Sequence, residues 1–64
     1  MIYDKIKALC KAQGRSIHSV EMACGLANGT IRKWNDFNPK MMSVVKVAHE
    51  LKVSVEELLE DVSP

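Results

Sequence analysis

Apolar residues recur along this chain at helical rather than strand spacing, in five short segments separated by glycine, proline or capping residues. In the first, Ile2, Ile6, Leu9 and Cys10 fall at i, i+4, i+7 and i+8, with Asp4, Lys5, Lys7 and Lys11 on the other side. That pattern predicts an amphipathic helix over about residues 2–13, ended by Gly14. Ser16 is placed to cap a second helix, about 16–24, with Ile17, Val20, Ala23 and Cys24 on its apolar face and Gly25 as its stop. Past Pro39, Met41, Val44, Val45, Val47, Ala48 and Leu51 define a helix over about 40–51. Val45 widens its stripe, which predicts burial on more than one side. Ser54-Val55-Glu56-Glu57 fits a capping box, and Val55, Leu58, Leu59 and Val62 supply the inner face of a last helix over about 55–61.

The remaining segment, "CGLANGTIRKWN" at residues 24–35, admits three readings. Asn28-Gly29 is a strong hairpin signal, Asn28-Gly29-Thr30 matches a glycosylation acceptor, and Leu26, Ala27, Ile31 and Trp34 have helical spacing. Strand alternation fails here, because Thr30, Arg32 and Trp34 would share a face with Asn28. The acceptor pattern matters only in a secreted chain, and no basic-then-apolar leader or membrane-length apolar run is visible. The sequence therefore predicts a helix over about 28–35 in a cytoplasmic protein.

Sixty-four residues make one domain, residues 1–64, near the lower limit for a single apolar core. The composition, 47% hydrophobic with three Gly and two Pro, is that of a globular all-α chain. Cys10 and Cys24 both fall on apolar helix faces and are expected as free, buried thiols. With His18 and His49 they match no compact zinc spacing, so no metal or other cofactor is expected. Nor is an enzyme: the two histidines are far apart in sequence, and the acids from Glu56 to Asp61 read as a charge run beside a helix start.

Net charge is only +1, but it is unevenly spread. Residues 1–40 carry seven Lys/Arg against three acids, and residues 41–64 carry two Lys against five acids. Such a dipolar domain can dock its basic end on phosphates. Two short helices joined by the turn Cys24-Gly25-Leu26-Ala27 are expected to cross steeply, with Ala27, Ile31 and Trp34 inward. The outward set is then Asn28, Gly29, Arg32, Lys33 and, toward the helix end, Asn35 and Asp36, with Thr30 at the margin; Arg, Lys, Asn and Thr are of the kinds that read base edges in a major groove.

Four pieces in this order resemble the phage-repressor helix-turn-helix family, the Cro/cI or Xre type, over nearly the whole chain: "SIHSVEMACGL", "NGTIRKW", Pro39 before "MMSVVKVAHEL", and "KVSVEELLED". The resemblance implies a compact five-helix, lambda-repressor-like bundle that puts helix 28–35 in the major groove of double-stranded DNA, as a homodimer on a pseudo-palindromic operator. It assigns base reading to Asn28, Gly29, Thr30, Arg32 and Lys33, and phosphate contacts to Ser16, Ile17, His18, Asn35 and Lys40. Four positions depart from the family pattern. Glu21 stands where Ala is usual, Ala27 replaces the usual Ser/Thr cap, Ile17 replaces a Gln, and Lys52 replaces a helix-ending Gly.

The expected function is transcriptional regulation, repression by operator occupancy, with no membrane partner and no small-molecule ligand. The competing expectation is an antitoxin or accessory protein-interaction module on the same fold, with DNA contact secondary. Adjacent Met41 and Met42 give that alternative its support, Met41 being expected in the core and Met42 at the rim or a dimer contact.

Overall fold

A computed structural model describes residues 2–59. The chain runs through α1 (Ile2–Ala12), α2 (Ile17–Cys24), a 3-10 turn η1 (Arg32–Asn35), α3 (Met41–Leu51) and α4 (Val55–Leu59). There is no strand among the described residues, and none of the helices described is long and apolar enough to cross a membrane. The molecule measures 30 × 22 × 17 Å. α2 packs chiefly on α3, α1 meets η1, α4 and α2, and α4 closes on α3.

Each element contributes to one core. Ile2, Ile6 and Cys10 enter it from α1, Val20 from α2, Ile31 and Trp34 from the segment around η1, Val44, Val47, Ala48 and Leu51 from α3, and Leu58 from α4. The helix ends follow local chemistry. Ser16 Oγ accepts from Ser19 N–H at 3.0 Å, and Ser54 Oγ accepts from Glu57 N–H at 3.0 Å, which satisfies an orphan amide in each first turn. Gly25 ends α2 in the left-handed region at φ 72°, and Leu26 N–H reaches back to Glu21 O at 2.8 Å. Long-range bonds fasten the corner between α1 and α2 to the end of α3. Gln13 Nε2–H donates to Leu51 O at 2.8 Å, and the Arg15 guanidinium pairs with the Glu50 carboxylate at 2.7 Å.

The segment from 28 to 35 is not the α-helix that its apolar spacing predicts. Residues 28–31 form turns, and a 3-10 turn follows over Arg32–Asn35. The break falls at Gly29, which sits at φ +88°, outside any right-handed helix. Past it three-residue bonds define the turn, Trp34 N–H donating to Ile31 O at 3.0 Å and Asp36 N–H to Lys33 O at 3.0 Å, while Lys33 N–H is shared at 3.2 Å between Thr30 O and Gly29 O. Spacings of three residues serve either helix type, so Ile31 and Trp34 are buried as expected while the backbone between them and Asn28 differs. The architecture described is therefore four α-helices and one 3-10 turn.

Four apolar residues expected inside lie outside. Ala23 falls two positions after the inward Glu21, on the opposite side of α2, and is exposed. Ala27 precedes the turn, where helical periodicity no longer links it to Ile31, and is also exposed. Met41 and Val45 are 60% and 42% exposed. One small core takes Val44, Val47, Ala48 and Leu51 from α3, and among the described residues the side that carries Met41 and Val45 stays exposed. Glu60, Asp61 and Val62, the end of the last expected helix, lie outside the described residues.

Lys52 caps α3 at φ 59°, the one non-glycine residue in the left-handed region among those described. An L side chain costs about 1–2 kcal/mol there, partly offset by the entropy a glycine loses on folding. Lys52→Gly is expected to raise unfolding free energy by about 0.5–1 kcal/mol in urea titrations.

Candidate nucleic-acid interface

The segment carrying the sequence-predicted base readers is organised by a residue that is not among them. Glu21 lies on α2 and is only 2% exposed, the one buried charged side chain among the described residues. Its Oε1 accepts from Gly29 N–H at 3.2 Å and its Oε2 from Ile31 N–H at 3.0 Å. Both carboxylate oxygens are thus committed to the turn, which explains how a carboxylate tolerates burial. His18 Nδ1 stands 4.0 Å from Oε1, so one end of the expected phosphate-contacting set adjoins the same carboxylate.

In the sequence Glu21 stands out as a departure from the pattern of the resembled family, with no role in the turn assigned to it. A signal was present. Glu21 sits four residues after Ile17 and one after Val20, so it falls on the apolar side of its own helix, where a carboxylate must find donors or pull the chain into a shape that supplies them.

Around this turn the expected readers emerge as follows. Asn28, Arg32 and Lys33 are exposed, and Gly29 and Thr30 are half-buried. Ile31 at 0% exposure and Trp34 at 6% anchor the strip from below. Among the described residues Arg32, Lys33 and Lys40 make no ion pair, whereas Arg15 is spent on Glu50. Thr30, Lys33, Trp34, Phe37, Lys40 and Ser43 line one open groove of about 360 Å³, bringing an expected base reader, Lys33, and an expected phosphate contact, Lys40, to the same depression.

The other expected phosphate contacts do not line the groove. Ser16, His18 and Asn35 are exposed, and Ile17 is half-buried. Ser16 Oγ is occupied by the Ser19 amide, so its hydroxyl serves the helix first. Beside the groove lies an apolar strip: Phe37, Met41, Met42 and Val45 are 70%, 60%, 69% and 42% exposed. Met41 and Met42 each precede Val45 by one helical turn, so these three are neighbours on the surface of α3.

Cys10 and Cys24 are free thiols. Burial pushes both above the ordinary value of 9.0; Arg15 opposes this at Cys10, while at Cys24 the Glu50 carboxylate adds to it. A thiol held in its protonated form is a poor nucleophile and a poor metal ligand. No group of three or more His, Cys, Asp or Glu that could hold a metal ion occurs among the described residues. No protein-family model, curated protein or solved structure matches the chain.

Two outcomes follow from this geometry. Glu21→Ala leaves two amides of the turn without an acceptor and is expected to lower unfolding free energy by about 2–4 kcal/mol, read from urea denaturation. The thiols set the alkaline limb. Unfolded cysteines ionise near pH 9.0 while the folded ones keep their protons, so the native state binds more protons there and stability falls as pH rises above that value. Thermal unfolding followed from about pH 8 to about pH 10 should show this decline, with a shallower slope in Cys10→Ala.

Proposed function

We propose that this chain is a sequence-specific double-stranded DNA-binding regulator, a lambda-repressor-like helix-turn-helix domain in which α2 and the 28–35 segment form the DNA-facing pair. The observation that carries the reading is an exposed polar strip with three cations, Arg32, Lys33 and Lys40, that make no ion pair among the described residues, on a base of buried Ile31 and Trp34. Cations not engaged with carboxylates have no protein partner to surrender when they meet phosphates or guanines. A rigid apolar base under them limits the ordering cost of docking.

In this reading the duplex is met by a short protruding corner. Arg32 and Lys33 donate to guanine O6 and N7, Asn28 addresses adenine, Thr30 offers hydroxyl or methyl, and Gly29 lets the backbone approach closely. Ser16, Ile17 through its amide, His18, Asn35 and Lys40 hold the flanking phosphates and set register. Repression follows from occupancy of the site. A second copy would pair through the Phe37, Met41, Met42 and Val45 strip, which lies beside the reading segment and so can set two readers side by side on a two-fold symmetric operator.

The same strip also supports a second reading, an accessory or antitoxin-like module whose main partner is a protein. Met residues exposed at 60% and 69% are adaptable contact groups. Salt dependence separates the two, since duplex binding through several phosphates is steep in log K against log salt and incidental binding is weak and flat.

Selection from a random duplex pool is the direct test, with the Arg32→Ala, Lys33→Ala double mutant alongside. A two-fold symmetric motif that the mutant loses is expected, together with a salt slope that falls by about 1 in Lys40→Ala. Absence of any enriched sequence would sink the DNA-reading proposal. Sedimentation that finds only monomer on the selected duplex would sink the dimer.

A further inference from the structure

Glu21 is buried beneath a surface that it never reaches, and its two oxygens grip amides on either side of Thr30. We infer that Glu21 is the positioning residue of the reading segment: it sets where Asn28 and Thr30 point, and so determines base preference at the positions those two side chains read. The inference rests on the DNA-binding reading proposed above.

The geometry divides the segment into two parts held by different means. Holding Gly29 N–H and Ile31 N–H pins the peptide planes before Gly29 and before Ile31, which bracket Thr30 and follow Asn28 directly. Gly29 at φ +88° is a conformation that an unconstrained chain leaves easily, and a Cβ placed there would meet nothing within 4 Å. No steric wall at that position therefore keeps the turn in place. What holds it is the carboxylate, aided by Thr30 N–H donating to Ala27 O at 3.1 Å. Arg32 and Lys33 instead stand on the 3-10 turn, anchored by Ile31 at 0% exposure and Trp34 at 6%.

Both oxygens act as acceptors, so ionised or shape-matched is not enough; two acceptors are required. A glutamine of the same shape supplies one acceptor and one amine, and whichever way it flips, one of the two turn amides faces a donor. Glu21→Asp keeps both acceptors but withdraws them by one methylene from amides now 3.2 and 3.0 Å away.

Glu21→Gln is the test, with Glu21→Asp as a second variant that retains the charge should the first not fold. Hydrogen exchange is read first on the free protein. The amides of Gly29 and Ile31 should exchange at least about tenfold faster in the variant, while the α1 and α3 core amides keep their protection. Duplex-pool selection is then run on wild type, on the variant, and on Asn28→Ala and Thr30→Ala, which mark the positions those residues read. The expected result is a variant motif degenerate at the marked positions, intact at those lost in the Arg32→Ala, Lys33→Ala double mutant, with an unchanged salt slope because the phosphate contacts remain. A residue that merely stabilised the fold would weaken binding to all sequences alike and leave the motif unchanged. Retained protection at Gly29 and Ile31, or a wild-type motif in the variants, overturns the role of Glu21 and leaves the DNA reading standing. Failure of the wild-type protein itself to enrich any site overturns both.

Discussion

A single carboxylate, almost without solvent, holds the centre of this molecule in its observed shape. Glu21 accepts from two backbone amides ten or fewer residues further along the chain, and those two bonds convert Gly29–Ile31 from a helix start into a turn. The energetic balance favours this arrangement because each oxygen finds a donor. An isolated buried carboxylate would be far more costly than any local preference of the backbone. Once the turn is made, Ile31 and Trp34 drop into the core and present their polar neighbours outward. Local backbone form, core packing and the proposed DNA-facing strip thus trace back to one interaction between α2 and the residues that follow it.

Smallness explains much of the rest. A chain of this length has one core, and eleven buried apolar residues among those described fill it. α3 carries more apolar residues than that core accepts, so Met41, Met42 and Val45 remain outside, next to Phe37. The fastening of Gln13 and Arg15 to the end of α3 compensates for the limited core by tying distant parts of the chain through polar bonds. The same fastening has an electrostatic result: Arg15 is neutralised locally by Glu50, while Arg32, Lys33 and Lys40 stay available.

Much of this was legible in the residues. Period and punctuation located α1, α2 and α3 to within a residue or two, and the Ser16 and Ser54 caps formed where the hydroxyls predicted. The candidate site was legible as a set of side chains but not as a shape. Ile31 and Trp34 are three residues apart, a spacing equally consistent with an α-helix and a 3-10 turn, so periodicity could not separate the two. Asn28-Gly29 carried the right warning of a turn, but a glycine permits positive φ without requiring it. Met41 and Val45 were misassigned because hydrophobicity reports a tendency to be buried, whereas burial depends on how much core a neighbouring element leaves open.

By itself the sequence determined the helical class, the caps and stops, the aliphatic core of α1 and α3, and the gathering of base before acid along the chain. These are local or periodic properties, written within one or two turns of backbone. Only the tertiary structure decided that Glu21 turns inward, that residues 28–31 leave the helix, that Lys33 and Lys40 share a groove, and that Arg15 is taken by Glu50. Each of those outcomes depends on a donor or a surface supplied by a residue seven to thirty-five positions away, and such pairings exist only once the chain has folded.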